Sequence, residues 1–405
     1  MNILKVVRGA AQGVLAIVCG IAMSHPLHAQ SSDADTSNLP VLKAMPLYYD
    51  TGTSKLVDRV DRSDTSAYFW IDDVTHQFAY WTMGYRSRAD LPGASYFGRT
   101  GWNIVSITPG YTVGAIGDVS GDGLADLVWT SSAHDLYLWT KAPSDPGYVS
   151  SYIGTYPQGW KLMGAGDVNG DGFADLIWHN DQTCEFGYWT MHGTQVSNRQ
   201  TIGASCGYRI AALGDINRNG LLDIVWTSGK NDLYIWYGDG AHFRSVRAGN
   251  YPAGTQLLAV GNFDGVKRTM PVAGQAQSLD RFNLIVADGA GRLSLLEWYA
   301  DAPWPNVTGG TISSLSVLGT LEAGDYLGPV VYSGGLRAGV VLLNDRYVNA
   351  NTGMPVLIEK SSAGFDGYGL AELSNYPAGT LVPLGVSPPM VTYPLGWRMI
   401  GKAAN

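Results

Sequence analysis

Asp167, Asn169, Asp171 and Asp175 place oxygen-bearing side chains at positions one, three, five and nine of a short stretch, with Gly172 at position six. Hard cations such as calcium take six to eight oxygen ligands, and one loop with this spacing supplies most of them. Glycine at the sixth position lets the chain turn sharply around an ion with positive φ. A helix–loop–helix calcium site needs a bidentate Glu at position twelve. Trp178 stands there instead, closing the β-type run Leu176, Ile177, Trp178. The chemistry expected is therefore a cation loop that feeds a strand.

The loop recurs. GDVSGDGLADLVW (Gly117 to Trp129) and GDINRNGLLDIVW (Gly214 to Trp226) flank the copy GDVNGDGFADLIW (Gly166 to Trp178). The leading residues Asp118, Asp167 and Asp215 recur with a period just under fifty residues, the mark of a solenoid or propeller array. After each loop comes a strand ending in Trp129, Trp178 or Trp226, then a turn and a strand ending in Trp139, Trp189 or Trp236. Repeated aromatics at these places are expected to pack between neighbouring sheets.

Other units keep the frame and lose the ligands. The segment from Trp70 to Met83 matches Trp178 to Met191 in length, but Asp58, Asp61 and Asp64 before it have lost the cation spacing. A fifth unit opens with Gly261, Asn262, Phe263 and Asp264 and continues through strands that end at Trp298. A sixth opens at Gly324, Asp325 and Tyr326. At the C-terminus, Tyr393 to Gly401 matches Tyr156 to Gly164, the stretch that leads into the loop of unit three. The first unit lacks such a strand, so residues 397 to 401 are expected to supply it and close a ring without free edges.

Gly accounts for 52 of 405 residues, above the usual ~7 %, and Trp and Tyr together for 36, which points to many turns and short strands. A repeat through most of the chain argues for one closed array, residues 58–405. Lys5 and Arg8 precede an apolar run from Val14 to Met23 and the small Ala29, so residues 1–29 read as an export signal, too short to span a bilayer. Val18 is bulkier than lipid attachment at Cys19 tolerates. Residues 30–57 form a polar segment with a possible strand, and the mature protein is expected to be secreted, periplasmic or on the cell surface. The signal holds no acids, so its removal takes the formal charge from −8 to −10, which argues against nucleic acid as partner.

These units resemble the FG-GAP / VCBS repeat family, whose members form integrin-α-like β-propellers with calcium loops of the pattern D-x-[DN]-x-D-G-x-x-D. The resemblance covers roughly residues 58–405, implying an all-β propeller of four-stranded blades, seven in number with six as the alternative. By carry-over, Asp118, Ser120, Asp122 and Asp126 would ligate calcium in the first intact loop, and Asp167, Asn169, Asp171 and Asp175 in the second. Asp215, Asn217, Asn219 and Asp223 would do so in the third, with the carbonyls of Leu124, Phe173 and Leu221 completing each set. Ser120 departs from the pattern, and Asn219 removes one charge from the third site.

Catalytic chemistry is sparse. Gly203, Ala204, Ser205, Cys206 and Gly207 fit G-x-S-x-G, but that motif carries meaning only between a strand and a helix. No H-E-x-x-H occurs, and the histidines are scattered. Three functions compete: a binding module for carbohydrate or extracellular protein, a polysaccharide lyase or hydrolase, and a structural or adhesive surface protein. Cys184 falls in the turn between strands two and three of its unit, and Cys206 in the connection to the next unit. The two are expected at the same end of the sheet and joined by a disulfide. Tyr111, Trp160, Tyr208 and Trp397 enter the innermost strands opposite the loops, where flat aromatics would ring one mouth of a channel and suit sugar rings. Packing against the adjacent blade is the competing role for the same side chains.

Overall fold

The computed structural model describes residues 66–72, 74–87, 95–141, 147–217, 219–261, 269–272, 275–320, 326–327, 332–333, 337–348, 355–361, 391–392 and 397–403. The export signal, the polar segment, the degenerate aspartates near residue 60, Gly324 and Asp325 of the sixth unit's opening, and residues 262–264 lie outside them. So does the extra blade that residues 381–393 and 41–50 could form, apart from the short strand Val391–Thr392.

The described residues form strands and turns with no helix, and five of the sheets are four-stranded and antiparallel. Unit two runs Tyr111–Gly117, Asp126–Ser131, Asp135–Lys141 and Tyr148–Thr155 in spatial order. Unit three repeats this with Lys161–Gly166, Asp175–Asn180, Glu185–His192 and Gln195–Gly203. Unit four does so with Tyr208–Gly214, Asp223–Ser228, Asp232–Gly238 and Phe243–Asn250. Unit five comprises Thr255–Gly261, Arg281–Asp288, Arg292–Ala300 and Gly310–Thr320, with the hairpin Thr269–Val272 and Gln275–Ser278 inserted after its first strand.

Unit one takes its first strand from the far end of the chain. Trp397–Ala403 pairs antiparallel with Ser66–Asp72, and Gln77–Ser87 and Ser95–Ser106 complete that sheet. This is the pairing expected of residues 397 to 401.

The core lies between sheets. Each of four buried clusters is shared by two consecutive units, from Phe69 and Trp129 across units one and two to Tyr237 and Trp298 across units four and five. The paired tryptophans of one unit lie with ring centroids 4.7 Å (Trp129, Trp139), 4.8 Å (Trp178, Trp189) and 5.0 Å (Trp226, Trp236) apart. Phe78 of unit one stands edge-on to Trp129 and Trp139, and Phe186 of unit three does the same to Trp226 and Trp236. Sheets with apolar, aromatic-rich faces bury most area when they stack in sequence, which is what these contacts do.

The hairpin between strands two and three ends in units one to four on a left-handed residue: His76, His134, Cys184 and Asn231, with φ between 53° and 60°. Its carbonyl accepts a hydrogen bond from the residue just after strand four, as in Ala204 N to Cys184 O at 2.8 Å. Unit three adds a covalent tie there, since Cys184 and Cys206 form a disulfide with a Cα–Cα distance of 4.9 Å. Closing a loop of 22 residues restricts the unfolded chain by about 3 kcal/mol. Cys184→Ala/Cys206→Ala is therefore expected to lose about that much stability in denaturant titration while intact-mass analysis finds no alkylatable thiol in the unreduced mature parent, which lacks Cys19. Two free thiols in that parent would contradict the bridge.

Candidate metal centres

Each intact loop joins strand one of its unit to strand two and is built the same way. The glycine at the sixth position is left-handed in all three, with φ of 82° at Gly123, 86° at Gly172 and 89° at Gly220. Its N–H donates to the leading aspartate at 2.8 Å (Asp118), 2.9 Å (Asp167) and 2.7 Å (Asp215). The fifth position accepts from the seventh: Leu124 N to Asp122, Phe173 N to Asp171 and Leu221 N to Asn219 at 2.8–2.9 Å. At the ninth position Asp126, Asp175 and Asp223 are fully buried, and one oxygen of each accepts from Ser120 N, Val168 N or Ile216 N. The carboxylates thus shape the loop whether or not an ion is present.

The other ninth-position oxygen separates the units. In units three and four it accepts from Met191 N and Gly238 N, both at 2.9 Å. In unit two, Asp126 Oδ1 and the hydroxyl of Ser120 are buried without a hydrogen-bond partner, although that hydroxyl is close enough to favour the charged form of Asp126. Buried oxygens of this kind fit a hard cation. The amides compete elsewhere: Asn169 Nδ2 donates to Asp171 Oδ2 at 2.9 Å, and Asn219 Nδ2 donates to the carbonyl of Gly238 at 2.8 Å. Among the described residues no three His, Cys, Asp or Glu side chains converge as a cage of their own. Backbone and amide oxygens would have to complete any shell.

Burial pushes these acids up. Asp118 rises to about 6, Asp175 to about 7 and Asp126 to about 8, and Asp167 and Asp223 are raised too, in every case with desolvation as the largest cause. Neighbouring carboxylates add to the shift, as Asp118 and Asp122 do for Asp126. Each loop therefore concentrates negative charge at a cost that a divalent cation would offset.

The loops also fasten one unit to the next. Ala174 N donates to the carbonyl of Asp118 at 2.8 Å, and Leu222 N to that of Asp167 at 2.7 Å. The ring of Phe173 covers Gly121, where a Cβ would stand only 2.5 Å from it, and Leu221 covers Gly170 in the same sense.

The aromatic positions opposite the loops divide by unit. Tyr111 and Tyr208 begin strand one and donate their hydroxyls to Asp135 and Asp232, the latter at 2.5 Å, each standing edge-on to Tyr137 or Tyr234. Those hydrogen bonds, more than burial, push both phenols up to about 12. Both phenols are thus held within their own sheet, half-buried. Trp160 instead lines a recess, together with Tyr156, Trp178, Gly187, Trp189 and Arg199. Trp397 begins the strand that completes unit one. The Tyr–Asp pairs were not anticipated, yet their constant spacing of 24 residues is visible in the sequence.

Ser205 is exposed between two strands, and Cys206 beside it is consumed by the disulfide, so the G-x-S-x-G match lacks the strand-to-helix turn it needs. Among the described residues no helix is long and apolar enough to cross a membrane, which says nothing of a β-barrel.

Residues 118–178 and 167–226 match the FG-GAP-like repeat family. The two matches place one leading aspartate and the next unit's buried tryptophan at the ends of each repeat. No curated protein sequence matches the chain. Among solved structures, AofleA from Arthrobotrys oligospora shares 11% identity at a TM-score of 0.38, over 78% of this chain and 90% of that one. SapL1 lectin in complex with alpha methyl fucoside shares 10% at 0.40, over 74% and 93%. Oligogalacturonate lyase in complex with manganese shares 11% at 0.34, over 78% and 80%.

Proposed function

We propose that this chain, carrying FG-GAP-like repeats at 118–178 and 167–226, is an exported β-propeller that calcium braces and that binds a carbohydrate or an extracellular protein without turning it over. The observation that carries the reading is the seam between consecutive loops. Because the carbonyls of Asp118 and Asp167 receive the N–H of the residue just before the next unit's buried aspartate, ordering one of these loops orders the seam beside it. A cation held by Asp118, Ser120, Asp122 and Asp126, or by the equivalent residues of units three and four, would fix both the turn and the blade-to-blade register. The ion's chemistry here is charge neutralisation and cross-linking. Shared cores between successive units and the pairing of Trp397–Ala403 with unit one support a closed ring. A count of seven blades, with six as the alternative, rests on the family resemblance alone. The disulfide supports export.

A glycan and extracellular-protein array, run with the purified mature chain in millimolar calcium alongside a turnover screen on acidic and neutral polysaccharides, tests the reading. Saturable binding with no product formed is expected. Sustained depolymerisation of any polysaccharide would overturn the non-catalytic assignment.

A further inference from the structure

Unit three departs from its flanking units at three places that meet in one recess of about 260 Å³. Opposite the buried tryptophan of strand two, units two and four carry Tyr137 and Tyr234, but unit three carries Gly187. Where those units place Tyr111 and Tyr208 against these tyrosines, unit three has Trp160, whose ring lies about where a Cβ on Gly187 would be, 3.1 Å away. Opposite the second tryptophan of the pair, units two and four carry Ser150 and Ser245, but unit three carries Arg199. A phenol ring is thus removed, a larger indole takes up part of the space, and a permanent cation is added at the rim.

We infer that this recess is a binding site for a sugar ring bearing a carboxylate, a uronic acid residue of an acidic glycan. Strand alternation and cross-strand register put Trp178, Gly187, Trp189, Arg199 and Thr201 on one face of the sheet. Trp178 and Trp189 are buried and form the floor, while the half-buried Trp160 and Tyr156 form a wall. Tyr156 is fixed by stacking on His134 at 4.9 Å, by a tilted contact with Trp178 at 4.7 Å and by a hydrogen bond to Thr130 at 2.9 Å. The half-buried rings of Trp160 and Tyr156 present the apolar surface that the C–H face of a pyranose needs. The guanidinium of Arg199 lies over the Trp189 ring at 4.3 Å, and no carboxylate pairs with it among the described residues. Stacking holds the planar fork in place and leaves its N–H edge for a two-pronged hydrogen bond to a carboxylate. The chain's formal charge of −8 gives no general attraction for polyanions, so selectivity has to come from this one contact.

The site deepens the binding-module reading and rests on it, but it does not depend on the calcium loops. Its test is titration calorimetry of the mature chain in calcium with galacturonate, mannuronate and glucuronate oligosaccharides, each against a neutral oligosaccharide of equal length. At least one uronate is expected to bind more tightly than its neutral counterpart. Arg199→Gln should weaken that binding about 10- to 100-fold while leaving neutral-sugar affinity nearly unchanged. Trp160→Tyr/Gly187→Tyr installs the pair that units two and four carry. A Cβ at 187 stands 3.0 Å from the Gln200 carbonyl, so the strand must give slightly, and the variant should still unfold cooperatively and lose the uronate. Equal affinity for charged and neutral sugars overturns the inference, as does full uronate binding by the doubly substituted chain. If a glycan or protein binds and neither variant affects it, the binding-module reading stands and this site does not. If nothing on the array binds, both fall.

Discussion

Glu297→Leu should lower the unfolding free energy of the chain by about 3–5 kcal/mol, the range found when one partner of a buried ion pair is removed. Glu297 lies 3.0 Å from Arg281, and both side chains are at least nine-tenths buried. Unit five explains why the pair is there. Asn283 faces Gly261 across the first two strands, as Asp126 faces Gly117 and Asp223 faces Gly214. The ninth-position carboxylate has thus become a neutral amide, and Arg281 stands two residues before it, where units two to four have Leu124, Phe173 and Leu221. A unit without the acidic loop carries its own cation, with Glu297 as the matching anion. Urea titration of the single variant and of Arg281→Met/Glu297→Leu separates pairing from packing. The double variant should recover most of the loss, and an unshifted midpoint in Glu297→Leu would contradict the role given to the pair.

Asp223→Ala should cost about 2–5 kcal/mol even in chelator, and more in millimolar calcium, where the third loop's stabilisation by the ion is lost as well. The fully buried carboxylate accepts from Ile216 N at 2.8 Å and Gly238 N at 2.9 Å, and its loss leaves both donors without that acceptor. Each buried group so abandoned costs about 1–3 kcal/mol. Asp171→Ala should behave differently. Asp171 is exposed, and its backbone partner is Phe173 N at 2.9 Å. In chelator its removal also relieves repulsion with Asp167, so little stability should be lost. In millimolar calcium the variant should lose most of the stabilisation belonging to that loop. Equal losses for Asp171→Ala in chelator and in calcium would reduce the acids to turn formers.

What could be read from the chain was whatever repeats. The left-handed glycines at 123, 172 and 220 follow from a spacing printed three times, and so do the paired tryptophans between sheets. The C-terminal strand was legible because Tyr393 to Gly401 copies a stretch whose partner was missing at the other end. The disulfide followed once the unit boundaries put both cysteines at one end of a sheet. Departures from the repeat were harder to read. Gly187 and Arg199 look like ordinary strand residues until the register lays them beside Tyr137, Tyr234, Ser150 and Ser245. Arg281 gave no warning either, because its meaning depends on Glu297 in the next strand. Tyr111 and Tyr208 were recognised as recurrent, but recurrence alone does not separate a ligand ring from side chains held by Asp135 and Asp232.

The central claim is that calcium in the loops led by Asp118, Asp167 and Asp215 braces the array. Its most direct test is thermal unfolding of the mature chain across a calcium series from excess chelator to 1 mM, with calorimetric titration of the same sample. With dissociation constants of about 0.1 mM, as for extracellular modules, each occupied site adds about 1.4 kcal/mol at 1 mM calcium. The account predicts a melting temperature that climbs with calcium and a titration that saturates near three equivalents. Superimposable melting curves in chelator and in 1 mM calcium, with no heat of binding, would contradict it.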